Sequence, residues 1–165
     1  MGRIIMISQK IKKNTGFAIL FAVTLSSILL SIALGVANIA TKEVKFSTSN
    51  RFSNDAFFAA DTGIECAFYN DRSTSNSFLE LGSSGVVSCL GGDISLVGVY
   101  PSWAFTIPNL GSSGQSCVKV FVTKQVNPTT GEINTTILSK GYNIGDSLCE
   151  STNLNRIERE IKTTY

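Results

Sequence analysis

The sequence predicts an α+β fold: one long N-terminal helix, transmembrane in its first half, packed on a small antiparallel sheet of three or four strands. Three observations carry this. An uncharged apolar run fills residues 17–40, a helical repeat continues beyond it, and the C-terminal part breaks into short alternating runs separated by Gly, Ser, Asn and Pro.

The apolar run is long enough to be an anchor. No Asp, Glu, Lys or Arg lies between Gly16 and Thr41, and residues 17–40 include Ile19, Leu20, Val23, Leu25, Ile28, Leu29, Leu30 and Leu34. As a helix rising about 1.5 Å per residue, they span roughly 36 Å, enough for a hydrocarbon core of about 30 Å. Thr24, Ser26, Ser27 and Ser31 can bond back to their own helix. Arg3, Lys10, Lys12 and Lys13 precede the run and no acid does, which predicts a cytoplasmic N-terminus with the rest of the chain outside. A cleaved secretory signal fits less well. The run exceeds the usual apolar region of about 7–15 residues, and no small-residue cleavage motif ends it. A plain signal anchor is the bland alternative.

The helical pattern continues past the anchor. Phe57, Ala60, Ile64 and Ala67 or Phe68 recur at spacings of three and four, and no Pro occurs before Pro101. The expectation is a helix to about residue 70 with that face packed on a sheet. Gly35 and Gly63 weaken it by about 1 kcal/mol each relative to Ala. Residues 47–50 are poor helix formers and predict a bend or a melted turn.

Beyond residue 70, residues 72–77 read as a polar turn and residues 86–90 as a weak strand. A second strand falls at 104–107, between Pro101 and Pro108. Residues 118–126 alternate, with Val118, Val120 and Val122 on one face and Lys119, Phe121 and Thr123 on the other. Asn127-Pro128-Thr129-Thr130-Gly131 is a turn leading to a partner strand at 132–142, where Ile133, Thr135, Ile137 and Ser139 share a face. A last strand at 156–164 turns Ile157 and Ile161 inward and Glu158, Glu160 and Lys162 outward. Such alternation suits an antiparallel sheet with one wet face.

Composition narrows the function. The net charge of +2 is an average: without the four basic residues before the anchor, ten basic residues face twelve acidic ones, near −2. Nucleic-acid binding is therefore not indicated. The chain has no His, which removes the commonest general base and the commonest neutral metal ligand. Asp61 and Glu65 share a helix face, but no nucleophile or base accompanies them, and they read as a solvated face or a partner salt bridge. The Gly82–Gly85 and Gly111–Gly114 tracts lack the Lys of a phosphate loop. Oxygen ligands near residues 143–146 and the sequon at Asn134 are patterns common by chance. Tyr100 and Trp103 read as core residues. The expectation is a non-enzymatic protein without metal or cofactor.

Cys66, Cys89, Cys117 and Cys149 all follow the anchor. With no CxxC and no His, they read as disulfides of an exported domain rather than a zinc site. Three pairings are open. Cys117 begins one expected strand and Cys149 precedes another that could lie beside it, so Cys117–Cys149 with Cys66–Cys89 is preferred.

The stretch Lys12-Lys13-Asn14-Thr15-Gly16, followed by Phe17-Ala18-Ile19-Leu20-Phe21, resembles the start of type IV pilin and pseudopilin precursors. In that family a prepilin peptidase cuts after the Gly that ends a short basic leader, and the new N-terminal residue, usually Phe, is N-methylated. The resemblance thus implies cleavage between Gly16 and Phe17. A second stretch, Ala59-Ala60-Asp61-Thr62-Gly63-Ile64-Glu65, is similar to a region of PilX-like minor pilins. The likeness covers about the first 70 residues. It divides the chain into a leader (1–16), a transmembrane half-helix (17–40) and an extracytoplasmic head (41–165) that includes the helix extension. It departs from the family at one place. Most pilins carry Glu at the fifth mature position, where it neutralises the amine of the next subunit in the apolar filament core. Here that position is Phe21, which favours a minor or initiating subunit. The implied partners are other pilin subunits, the prepilin peptidase, the cytoplasmic membrane and a pilus or secretion assembly platform. The competing expectation is an anchored surface domain that binds a partner and never enters a filament.

Overall fold

The computed structural model describes residues 15–73, 76–79 and 85–165. The leader residues Arg3, Lys10, Lys12 and Lys13, part of the polar turn after residue 72 and most of the Gly82–Gly85 tract lie outside the described residues. The helix α1 (Thr15–Arg72) is unbroken, including residues 47–50, where a bend was expected. Poor propensity costs only a few tenths of a kcal/mol per residue, which neighbouring helical turns outweigh.

The chain forms two units, one up to Phe46 and one over Ser47–Tyr165. The first is α1 alone. From Phe17 to Ile39 its apolar side chains are exposed, and the helix is long and apolar enough to cross a membrane.

Among the described residues the second unit joins the rest of α1 to seven strands, more than the three or four expected. A hairpin pairs β1 (Val86–Cys89) with β2 (Gly92–Ser95). A five-stranded antiparallel meander follows: β3 (Val97–Val99), β4 (Ser102–Leu110), β5 (Ser116–Val126), β6 (Ile133–Tyr142) and β7 (Glu158–Thr164), paired in that order. The strands that no expected run marked are β2 and β3, four and three residues long, each containing a Gly. Runs so short leave no measurable alternation. Strand β4 extends through Pro108, where the expected strand stopped. Its partner β3 reaches only Ala104, and its register with β5 shifts between Ile107 and Leu110, so Pro108 interrupts no regular ladder there.

Trp103, Phe105 and Ile107 of β4, Val118, Val120 and Val122 of β5, and Ile137 of β6 are buried with Phe78, Val87 and Leu96. Each such side chain contributes about 1.5–3 kcal/mol when removed from water. Tyr100 packs at the edge of this core.

The inward face of α1 agrees with the expected one at Ala60, Ile64 and Ala67 and departs from it at Phe57. Ala56, Ala59, Ala60, Gly63 and Ala67 are buried, whereas Phe57 and Phe68 remain 48% and 41% exposed. Periodicity alone placed Phe57 on that face, but the distance between helix and sheet decides the outcome. A Cβ on Gly63 would overlap methyls of Val120 and Val118, at 2.7 and 2.8 Å, and one on Gly141 would overlap the α1 backbone at Ala56 and Ala60. The helix lies so close to β5 and β6 that only small side chains fit between. Ser139 Oγ donates to the Ala60 carbonyl across this contact at 2.7 Å.

Candidate functional site

The apolar turns of α1 carry hydroxyls that a membrane would otherwise leave unsatisfied. Each is bonded within the helix. Thr24 Oγ1 donates to the Phe21 carbonyl at 2.9 Å, Ser26 Oγ to Ala22 at 2.7 Å, Ser27 Oγ to Thr24 and Ser31 Oγ to Ser27 at 2.8 Å. These back-bonds lower the cost of placing the hydroxyls in hydrocarbon or against another helix. The residues around the implied processing point, Gly16 and Phe17, lie in the first turn of α1, and Phe17 is exposed. Phe21 stands one turn further on, also exposed. From Phe17 to Ala40 the exposed surface of α1 is apolar apart from these hydroxyls and Asn38, and it carries no carboxylate.

The second unit is fastened by cross-links between distant parts of the chain. Cys66 of α1 is bridged to Cys89 of β1, with Cα atoms 5.7 Å apart. Cys117 of β5 is bridged to Cys149 in the loop before β7, at 5.6 Å. Among the described residues no cysteine is free and no His, Cys, Asp and Glu cluster could hold a metal.

Asn70, which sequence reasoning passed over, works beside the first bridge. Its Nδ2 donates to the carbonyls of Cys66 and Ser88, both at 2.9 Å, and its Oδ1 accepts from the Ser88 amide at 3.1 Å. The β1–β2 hairpin is thus held to α1 by both a covalent and a polar clamp.

A second cluster joins the end of α1 to the sheet. Asp71 Oδ1 lies 2.6 Å from Lys124 Nζ of β5, with side chains only 8% and 12% exposed. Tyr165 Oη donates to Asp71 Oδ2 at 2.9 Å, and the Arg72 guanidinium lies over the rings of Phe68 and Tyr165. Burial, then the bond to Asp71, holds the Tyr165 phenol well above its usual range. The sequence signal for this cluster was faint: an acid at the end of the helical pattern and a Lys that continues the Val118, Val120, Val122 face of an alternating strand.

The loop after β6 is pinned along its length. Asn143 is buried. Its Oδ1 accepts from the Ile157 amide at 2.6 Å and its Nδ2 donates to the Asn155 carbonyl. Asp146 Oδ1 accepts from the amides of Glu150 and Leu148, which lowers its carboxyl pKa. Arg156 caps the Cys149 carbonyl at 2.7 Å and stacks over Tyr142 at 3.8 Å. Asn143 and Asp146 thereby serve the loop's own backbone. On β7, the Tyr142 hydroxyl and then Lys140 hold the Glu158 carboxyl below its usual range.

The remaining sequence candidates are dispersed. Asp61 is half-buried and Glu65 exposed on α1, and among the described residues neither forms an ion pair. Asn134 is exposed in β6. The arrangement offers an apolar helix, a rigid head and exposed aromatics, which is equipment for association. Compared with family models, curated proteins and solved structures, the chain matches none.

Proposed function

We propose that this chain is a structural subunit, a minor pilin or pseudopilin, of a type IV pilus or type II secretion-like filament. The observation that carries the reading is the continuity of α1. One helix runs from Thr15 through the Gly16–Phe17 junction, presents apolar side chains, self-bonded hydroxyls and a single amide, Asn38, over residues 17–40, and ends packed on an antiparallel sheet. In this reading the subunit waits in the cytoplasmic membrane with its N-terminus inside and its disulfide-bonded head outside. The prepilin peptidase removes residues 1–16, and the apolar helix then packs against those of other pilin subunits at the assembly platform. Phe21 suits a subunit at an end of the filament, which has no amine above it to neutralise. The protein performs no catalysis here. Its work is association, and the head sets partner choice.

The test is fractionation of native cells. Surface filaments sheared from the cells contain the chain if the proposal holds. Its confinement to the membrane fraction, in cells that do make filaments, overturns the proposal and favours the anchored surface domain.

A further inference from the structure

The two bridges of the head sit in unlike surroundings. Cys117 and Cys149 are fully buried. Tyr142 packs against them, and the backbone at Gly145 lies so close that a Cβ there would overlap Cys117 Sγ. Cys66 is half-buried and Cys89 is 7% exposed, and both line a hollow of 370 Å³ between α1 and the β1–β2 turn. A thiolate must touch a disulfide sulfur to exchange with it. The hollow gives that access to one bridge, and burial denies it to the other.

The rim of the hollow suits a protein better than a small thiol. Tyr69 and Leu90 stand there, 67% and 72% exposed. Leu90 opens the two-residue turn between β1 and β2 with φ of 52°, followed by Gly91 at 78°. Such turns favour Asn, Asp or Gly, and a branched apolar side chain is strained there. Neither backbone preference nor core burial accounts for Leu90, and strain of this kind collects at sites that bind. Glu65 also lines the hollow, no Lys or Arg does, and among the described residues Glu65 forms no ion pair. Its carboxylate repels a small anionic thiol such as glutathione. A reactive cysteine of a protein, by contrast, stands in an electropositive setting that matches Glu65.

We infer that this hollow is a site of reversible thiol–disulfide exchange with a protein dithiol, and that Cys66–Cys89 is a latch on the β1–β2 hairpin whereas Cys117–Cys149 is a permanent staple. The partner's thiolate attacks Cys66 Sγ, the more exposed sulfur, and forms a mixed disulfide. Cys89 leaves as a thiolate. Asn70 Nδ2 lies 4.0 Å from Cys89 Sγ, and the positive end of its amide dipole favours that charge. The partner's second thiol then displaces Cys66. The bridge gains two electrons, the partner becomes a disulfide, and the two protons of its thiols end on Cys66 and Cys89. The reverse reaction closes the latch.

Opening the latch loosens the hairpin. Strands β1 and β2 form a sheet of their own, and an isolated hairpin is marginally stable. Without the bridge it is held to the head by weaker contacts, such as those of Asn70 and the buried Val87. The inference applies equally to a filament subunit and to an anchored surface domain, since both carry this head.

The test uses the full-length protein in detergent, with reduced thioredoxin as the protein dithiol. Thioredoxin lacking its second cysteine traps the mixed disulfide, and alkylation with mass mapping locates the free thiols. The expected adduct is at Cys66, with Cys89 free and Cys117–Cys149 intact. With unmodified thioredoxin, Cys66–Cys89 opens about a hundredfold faster than the second bridge. Amide exchange in residues 86–95 then rises about tenfold. Tyr69→Ala with Leu90→Asn, the latter suited to the turn, slows thioredoxin about tenfold and leaves the rate with dithiothreitol unchanged. Glu65→Gln speeds glutathione and leaves dithiothreitol unchanged. The intact second bridge and an unaltered near-ultraviolet circular dichroism spectrum verify the fold of each variant. An adduct at Cys117 or Cys149, no adduct at all, equal rates for the two bridges, or hairpin exchange unmoved by opening would overturn the inference. So would a Tyr69→Ala, Leu90→Asn protein that responds alike to thioredoxin and dithiothreitol.

Discussion

Replacing Gly141 with Ala tests the close helix–sheet contact that organises the head. The added Cβ would collide with the Ala56 carbonyl and with Ala60 N and Cα, all backbone atoms that no rotamer change can move. Either α1 lifts from β6 or the strand buckles, and overpacking of this kind costs about 3 kcal/mol. Lifting also stretches the 2.7 Å bond from Ser139 to the Ala60 carbonyl. For a domain of this size, Tm falls by about 10 °C. Two other glycines calibrate the measurement. A Cβ on Gly63 meets mainly side-chain atoms of Ser139, Val120 and Val118, which can yield, and the better helix propensity of Ala offsets about 1 kcal/mol. Gly63→Ala therefore destabilises less than Gly141→Ala. Gly35 has nothing within 4 Å, so Gly35→Ala in the same helix leaves the head unchanged. The assay is thermal unfolding of the detergent-solubilised protein, followed by near-ultraviolet circular dichroism at Trp103. A Gly141→Ala protein that melts within 2 °C of the parent, a shift of about 0.5 kcal/mol, would refute the close contact.

Breaking the Asp71–Lys124 pair by Lys124→Met leaves a largely buried carboxylate without its cation and costs about 3–5 kcal/mol in the same assay. Removing the second bridge by Cys117→Ser with Cys149→Ser frees a loop with sequence separation 32 and costs about 2–5 kcal/mol in chemical denaturation, where a midpoint equal to the parent's would count against it. Acid weakens the head. Glu158 and Asp146 have folded pKa values below their usual 4.5 and 3.8, so the unfolded chain takes up protons first and the stability they supply is lost as pH falls. Tm is expected to hold between about pH 7 and 5.5 and to decline below about pH 4.5, with a shallower decline in Glu158→Gln.

The sequence revealed those elements whose signal is local. Residues 17–40 declared a membrane-competent helix by composition alone, and the Val118, Val120, Val122 alternation located β5 with its buried face. The turn at 127–131 and the partner strand β6 followed from Asn-Pro and Gly chemistry. The bridges in the structure are the preferred pairs, although β7, which Cys149 precedes, lies beside β6 and not beside β5, which Cys117 opens. What stayed hidden depends on distance between elements. On α1 the expected Ala60, Ile64 and Ala67 do face the core, but Phe57 does not, because the sheet comes too close there for any but small residues such as Ala56 and Gly63. Asn70 and the Asp71–Lys124–Tyr165 cluster gain their roles from partners 18 to 94 residues away, which leaves no periodic mark. The proposed processing at Gly16–Phe17 rests on resemblance alone, because peptidase recognition is a property of another protein.

The central claim is most directly tested by the N-terminal sequence and methylation state of the chain purified from its native membrane. The account predicts a start at N-methylated Phe17, with residues 1–16 absent. A chain that begins at Met1, with the leader intact in cells whose other pilins are processed, would contradict it.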